Sequence, residues 1–112
     1  RFLTFLEEAR LAYLKQLGLW DGKSFLDLGM IVADIHIAYK APVEWGEEIQ
    51  VALCVDHIGN KSMHMLNEMR NSQDGSLKAQ AEVVMVAYDF RKKVAMRVPE
   101  SWRKKISEFE RL

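Results

Sequence analysis

The sequence predicts a single α+β domain in which an antiparallel sheet curls around one long helix. Residues 2–17 contain no glycine or proline and carry apolar side chains around most of the helix circumference, which is typical of a buried helix. A buried helix in a chain of 112 residues requires a sheet curled around it. Alternating apolar and polar segments follow and predict strands. A last segment begins at Pro99 and places Trp102, Ile106 and Phe109 on one side of a second helix.

The strands are predicted from alternation bounded by short polar turns. Odd-numbered residues from Ile31 to Tyr39 are expected to face one side of the first strand. The first strand is predicted to run from Ile31 to near Pro42. Three further strands and a short fifth strand are predicted at residues 47–57, 61–70, 77–90 and 94–98. No repeat, linker or low-complexity segment interrupts them, so residues 1–112 are interpreted as one domain.

The composition argues against several classes of protein. Sixteen basic and sixteen acidic side chains cancel, which argues against a nucleic-acid or membrane-surface partner. No apolar run approaches the roughly 18–20 residues of a membrane span. Cys54 is the only cysteine, which excludes an intramolecular disulfide and favours a cytoplasmic setting.

Four short motifs occur in order along the chain. They are residues 2–10 (FLTFLEEAR), residues 39–47 (YKAPVEWGE), residues 57–62 (HIGNKS), and Asp89 with a basic turn and Val98-Pro99 after it. Together they resemble the 4-hydroxybenzoyl-CoA thioesterase-like family, in which an aromatic pair precedes Glu-x-Ala-Arg and the later motifs include Tyr-x-x-Pro-x-x-x-Gly-Asp and Ile-Gly-x-x-Ser. The resemblance spans essentially the whole chain and implies the hotdog fold, an antiparallel sheet wrapped around a long central helix.

The resemblance also implies an activity. Such proteins are hydrolases that cleave acyl-CoA or acyl-carrier thioesters, usually as homodimers or homotetramers. No cofactor is expected, because coenzyme A enters as part of the substrate. Two alternatives remain open: a hotdog dehydratase or hydratase, which places a histidine on or beside the central helix, and a non-catalytic module that binds acyl groups. Residues 1–20 contain no histidine, which counts against the first alternative.

Thioester hydrolysis requires a carboxylate as nucleophile or general base. In the family this is an Asp in a segment like Asp-x-x-Gly-His-Val-Asn-Asn, just before the aromatic pair. We therefore expect the usual catalytic Asp and the first strand to lie before residue 1. Glu7 is the candidate among the residues present, and we expect it to be partly desolvated on an apolar helix. The alternative is that Glu7 has a structural role and pairs with Arg10 at i+3 or with a backbone group.

The resemblance implies contacts to the CoA nucleotide from two turns. The candidate residues are Asn60, Lys61 and Ser62 in the first turn and Lys92 and Lys93 in the second. Cations and N–H donors suit phosphate groups. Family members tend to place arginines at the first turn, where this chain has Gly59 and Asn60. The alternative interpretation is that these lysines are solvated charges at a sheet edge.

An acyl pocket is expected around Phe2, Phe5 and Met63. Met63, Met65 and Met69 recur at strand spacing, which favours core packing over pocket lining.

Other residues are expected to have ordinary roles. His36, His57 and His64 lie on separate strands without ligand spacing, so no metal site is predicted. Cys54 is on the outward face of its strand without an evident base partner, so it is not predicted to be a nucleophile. Trp45 and Trp102 are expected to pack.

Overall fold

The computed structural model describes residues 2–24 and 28–112, apart from the side chain of Phe2. Its elements agree with the predicted order of helix, strands and helix. In chain order they are α1 (Phe2–Gln16), β1 (Met30–Tyr39), β2 (Ile49–Ile58), β3 (Ser62–Asn71), β4 (Leu77–Asp89), β5 (Val94–Ala95) and α2 (Glu100–Glu110). Neither described helix is long and apolar enough to cross a membrane.

The strands form one antiparallel sheet in the order β1-β4-β3-β2, with β5 paired to the end of β4. Among the described strands, β1 and β2 are therefore the edges of this sheet. A bulge between Val32 and Asp34 shifts the alternation of β1. As a result Ile35 and Ile37 pack against the core while Ile31 is exposed, so the predicted single face of this strand is interrupted.

Helix α1 ends in a Schellman motif at Gly18, whose φ of +72° suits glycine. The N–H of Leu19 donates to the carbonyl of Leu14 at 2.9 Å, which closes the motif. The helix buries Leu6 and Leu14 against the sheet, but Leu3 is 57% exposed. The prediction that α1 is buried all round is therefore wrong for this chain, because the sheet covers only one side of the helix.

Two hydrophobic clusters fill the space between the helices and the sheet. The α2-side cluster lies where the second half of α1 and α2 meet the sheet; its buried members are Tyr13, Leu14, Leu19, Trp20, Met30, Val55, Met63, Met65, Val83, Met85, Ala87, Val98, Trp102 and Ile106. The α1-start cluster lies under the beginning of α1, and its buried members are Leu6, Met69, Ala79 and Ala81. Phe5 packs against the second cluster.

The sheet has two different ends. At the α2 end, β2 and β3 are joined by residues 59–61, and β4 runs into residues 90–98 and helix α2. The Oε2 of Glu110 accepts hydrogen bonds there from the Tyr13 hydroxyl at 2.8 Å and the Val55 N–H at 2.7 Å. Burial raises the pKa of Tyr13, and the hydrogen bond to Glu110 raises it further. At the open end, residues 40–48 and 72–76 join strands without a second helix.

Details at both ends differ from the sequence predictions. The fifth strand is only Val94–Ala95, and helix α2 begins at Glu100, with Pro99 as its N-cap. Trp102 is buried as expected. Trp45, in contrast, is 99% exposed, so its predicted packing role is wrong; it occupies a turn that extends away from the core.

Candidate functional site

A cavity of about 220 Å³ lies between α1 and the start of β1. Most of its wall is aliphatic, and two charged side chains of α1 complete it. The lining residues are Glu7, Arg10, Leu11, Leu14, Leu28, Met30, Ile31, Val32 and Met85. Glu7 and Arg10 share one helix face because they are three residues apart. The cavity thus combines an apolar wall with one carboxylate and one guanidinium.

The two charged groups have different environments. Glu7 is exposed rather than partly buried, because the helix side that carries it is not covered in this chain. Arg10 is half-buried, and its Nη1 is buried without a hydrogen-bond partner in the described part of the chain. Burial lowers the pKa of Arg10, and the charge of Glu7 partly offsets this effect. Glu7 is therefore a water-accessible carboxylate beside a desolvated cation, which agrees with a through-space interaction between the two.

The two turns predicted to bind CoA lie at the same end of the sheet. The carbonyl of Lys61 accepts a hydrogen bond from the Ala87 N–H at 2.8 Å, near the point where β4 leads into the second turn. Lys61, Lys92 and Lys93 are exposed. In the second turn, the backbone N–H of Lys92 donates to Asp89 at 2.9 Å and lowers the pKa of that carboxyl. The α2 end therefore presents a group of solvent-facing lysines.

Residues 59–62 are shaped by contacts within and beyond the turn. The Gly59 N–H donates to the Ser62 carbonyl at 2.7 Å. A Cβ at Gly59 would stand 2.9 Å from the Ser62 Oγ, so a larger residue there would displace the Ser62 hydroxyl. The carbonyl of Asn60 accepts from the Val98 N–H at 2.9 Å, which joins the turn to the segment before α2. Asn60 and Ser62 thus have structural contacts, while Lys61 remains free to reach solvent.

Two arginines at this end were missed by sequence reasoning. Arg103 donates to the carbonyls of Gly59, Asn60 at 2.8 Å and Val98 at 3.1 Å. Arg97 donates to the Asn60 Oδ1 at 3.3 Å and pairs with Glu100 at 3.0 Å. The first turn lacks its own arginines, but Arg97 and Arg103 bring guanidinium groups to it from the C-terminal segment. The sequence showed only that Arg97 precedes α2 and that Arg103 lies outside the apolar stripe of this helix.

The structure separates two members of the predicted acyl pocket. Phe5 packs against the α1-start cluster, whereas Met63 is buried in the α2-side cluster. The side chain of Phe2 lies outside the described part of the structure. Met65 and Met69 are fully buried, as the core interpretation predicted.

The outer face of the sheet carries a second cavity, of about 470 Å³. Alternation places Cys54 and Glu82 in its wall, opposite the buried face. Nearby, the His64 Nδ1 contacts Asp56 at 2.6 Å and its Nε2 lies 3.5 Å from Glu82. Burial raises the pKa of the Cys54 thiol, which keeps it in its less nucleophilic form. Within residues 2–24 and 28–112, no group of three His, Cys, Asp or Glu side chains is placed to hold a metal ion.

Solved structures share this architecture over nearly the whole chain. A thioesterase from Thermus thermophilus in complex with coenzyme A and Zn has a TM-score of 0.84 at 22% identity, covering 99% of this chain and 78% of that chain. A 1,4-dihydroxy-2-naphthoyl-CoA thioesterase from Synechocystis has a TM-score of 0.81 at 19% identity, covering 96% of this chain and 80% of that chain. At such low identity the likeness establishes the fold, and it confirms the predicted hotdog fold.

Comparison with curated protein sequences gave no significant match. A sequence profile of the thioesterase-like superfamily, however, matches residues 1–106. Because this match covers nearly all of the chain, the protein belongs to the thioesterase-like superfamily, as the order of its sequence motifs predicted.

Proposed function

We propose that the protein is an acyl-CoA thioesterase, which hydrolyses the thioester to a free acid and coenzyme A. The observation that carries this proposal is the superfamily match over residues 1–106. The fold shared with the Thermus thermophilus thioesterase, which was solved with coenzyme A, supports the same substrate class. Coenzyme A enters as part of the substrate, and the reaction as written needs no further cofactor.

Glu7 is the proposed carboxylate within the described cavity. In this role it orients a water molecule and accepts its proton as the oxygen attacks the thioester carbonyl carbon. The C–S bond then breaks, and the proton passes to the leaving thiolate. Arg10 is half-buried beside this position, and its buried, unpartnered Nη1 favours the negative charge that develops. The cavity between α1 and β1 supports this assignment because it holds both groups against an apolar wall.

The activity is tested by following free thiol release from short, aromatic and long acyl-CoA substrates. Absence of release from all three classes would overturn the proposed function. The role of Glu7 is tested separately by Glu7→Gln, with Glu8→Gln as the matched control on the same helix. Glu8 is also exposed but does not line the cavity. We expect Glu7→Gln to lower kcat by about a hundredfold and Glu8→Gln to leave it unchanged; equal rates would assign Glu7 a structural role.

The nucleotide part of the substrate is proposed to lie against the lysines of the α2 end. Lys61, Lys92 and Lys93 are exposed there, and phosphate groups are bound by such cations. Lys61→Glu is expected to raise KM for acyl-CoA by about tenfold, since losing one charge-assisted contact corresponds to roughly 1.4 kcal/mol. Lys40→Glu is the control, because Lys40 is exposed at the open end of the sheet. An unchanged KM in Lys61→Glu would favour the solvated-charge interpretation.

We also propose that the protein is a homodimer or homotetramer. β1 is an edge strand of the described sheet, and it leaves Ile31 and Val32 each 37% exposed. Leu3 on α1 is exposed as well. A second copy would cover these apolar side chains and the free strand edge. Light scattering measures the mass directly, and a monomer at micromolar concentration would contradict this proposal.

A cytoplasmic location is proposed on the basis of Cys54. The thiol is free, and the chain has no second cysteine with which to form an internal disulfide. Such cysteine usage favours a reducing compartment. Fractionation of the source cells with an antibody against the protein would test it.

A further inference from the structure

Asn67 is a buried amide without a partner. It lies in the middle of β3, and only 2% of its surface is exposed. Neither its Nδ2 nor its Oδ1 has a hydrogen-bond partner in the described part of the structure. A buried amide that makes no hydrogen bond is costly, because the chain gives up its hydrogen bonds to water without replacement. Such a group in a folded protein requires an explanation.

The other buried asparagine, Asn71, has hydrogen-bond partners for both of its polar side-chain atoms. Asn71 is 9% exposed, and its Nδ2 donates to the Glu47 Oε2 at 2.7 Å. Its Oδ1 accepts from the N–H groups of Gln73 at 2.8 Å and Asp74 at 3.0 Å. The two contacts of Oδ1 hold the turn after β3, and the contact of Nδ2 joins this turn to the segment before β2. Asn71 is therefore a structural residue, and Asn67, four positions earlier on the same strand, has no comparable role.

The surroundings of Asn67 are apolar. Its burial and the alternation along β3 place the side chain on the helix-facing side, between Met65 and Met69. On the neighbouring strands it is paired with Leu53 and Ala81. Leu53 and Ala81 offer no donor or acceptor, and the thioethers of the two methionines are only weak acceptors, so no side chain here can satisfy both ends of the amide.

Asn67 also lies at the boundary between the two hydrophobic clusters. Met65 belongs to the α2-side cluster, whereas Met69 and Ala81 belong to the α1-start cluster. The second cluster is small, and two of its four buried members are alanines, Ala79 and Ala81. An acyl group that entered between the start of α1 and the sheet would therefore lie beside short side chains and the Asn67 amide. Phe5, which was predicted to line an acyl pocket, packs against the same cluster.

We propose that Asn67 selects acyl groups that carry a neutral hydroxyl group. The inference rests on the proposed thioesterase function and names the substrate class of that site. An amide offers one acceptor and two donor hydrogens, and a hydroxyl can donate to Oδ1 while it accepts from Nδ2. A plain alkyl or phenyl group would leave the amide unpaired. A carboxylate would be buried beside apolar residues without a cation, which is unfavourable.

The test compares matched substrates in the full protein. The pairs are 4-hydroxybenzoyl-CoA with benzoyl-CoA, and 3-hydroxyoctanoyl-CoA with octanoyl-CoA. We expect the native protein to prefer the hydroxylated member of at least one pair by about tenfold or more in kcat/KM. Asn67→Leu should reduce that ratio to about one, mainly by slowing the hydroxylated substrate, because a similar-sized apolar side chain cannot bind the hydroxyl. An equal ratio in the native protein and in Asn67→Leu for both pairs would overturn the proposal.

The matched control is Met65→Leu, an apolar exchange at the preceding inward position of β3. It changes packing without a polar group, so the hydroxyl preference should remain. Asn67→Leu should also raise Tm, since it removes an unpaired buried amide. Should Asn67→Leu fail to fold, Asn67→Met answers the same question with a more adaptable side chain.

A binding measurement separates this proposal from the proposed function. Thioether analogues of the same four substrates cannot be hydrolysed, and their binding is measured by calorimetry. Tighter binding of the hydroxylated analogues, lost in Asn67→Leu, would support the role of Asn67 even in a protein that releases no thiol. Hydrolysis of all four substrates with no hydroxyl preference would keep the thioesterase and reject the role of Asn67.

Discussion

The two ends of the sheet are stabilised in different ways. At the α2 end, contacts that are remote in sequence hold the backbone: Arg103 reaches the carbonyls of Gly59 and Asn60, and Glu110 reaches the N–H of Val55. At the open end, the segments before β2 and after β3 contact each other instead: the Asn71 Nδ2 donates to Glu47, and Glu47 forms an ion pair with Lys78 at 2.9 Å. A second helix thus supports one end only.

This difference predicts which part of the molecule opens locally at the lower free energy. Among the residues that the structure describes, fourteen are buried in the α2-side cluster and four in the α1-start cluster. Fewer buried apolar contacts mean a lower free energy of local opening. We therefore expect the start of α1 to separate from the sheet more easily than the part of the molecule that α2 covers.

The largest effect on the free energy of unfolding is expected from truncating one fully buried side chain in each hydrophobic cluster. Ile106 and Leu6 are both fully buried, one in each cluster. Ile106→Ala should lower the free energy of unfolding by about 4 kcal/mol and Leu6→Ala by about 3 kcal/mol, because a small cluster collapses more easily around a cavity. Urea unfolding followed by circular dichroism gives both values. Equal losses, or a larger loss in Leu6→Ala, would contradict the idea that the α2 end is the better packed.

A smaller effect is expected from the arginine that joins α2 to the sheet. Arg103→Met keeps the aliphatic stem but removes the donors to three backbone carbonyls. Because hydrogen bonds to a charged group contribute about 1.5–3 kcal/mol, we expect a loss of roughly 2 kcal/mol in unfolding free energy. Lys104→Met is the control, since Lys104 is exposed on the same helix. A loss below that of the control would show that the turn at Gly59 holds its shape without Arg103.

Much of the fold follows from local sequence patterns. Alternation located β2, β3 and β4 within one or two residues, because strands with one buried face must alternate. The bulge in β1 could not be located in this way, since one extra residue changes which face is buried without changing the residue types. The burial of α1 was overestimated because an apolar surface does not reveal what covers it. Leu3 is apolar, yet it is exposed in this chain.

The candidate site was less predictable than the fold. Lys61, Lys92 and Lys93 were candidates because the family resemblance points to their two turns; the structure shows that all three are exposed. Arg103 was missed because its target, the Gly59 turn, is 44 residues away along the chain. Asn67 did carry a signal: it interrupts the inward series of Met63, Met65 and Met69 with a polar residue. That neither of its polar atoms finds a partner depends on three-dimensional packing, and the sequence does not specify it.

The open end should respond to acid. Its Glu47 carboxylate accepts hydrogen bonds from Asn71 and the Glu44 N–H and pairs with Lys78, which together lower the pKa of Glu47 from 4.5 to about 2. The charged form is favoured in the folded state, so this stabilisation is present above about pH 4.5 and is lost as the pH falls toward 2. In Glu47→Gln, the fall of Tm between these pH values should be shallower than in the native protein. Glu44→Gln is the control in the same turn, and an unchanged slope in Glu47→Gln would contradict the assignment.

The smallest effect is expected at the most exposed aromatic residue. Trp45 is 99% exposed in the turn before β2, at the open end, and it buries almost no surface within this chain. Trp45→Ser should therefore change the free energy of unfolding of the isolated subunit by no more than about 0.5 kcal/mol, as for other surface substitutions. A larger loss at high protein concentration that disappears on dilution would mean that Trp45 packs against another copy of the chain. The open end would then be supported between subunits, as the α2 end is supported by α2 within one subunit.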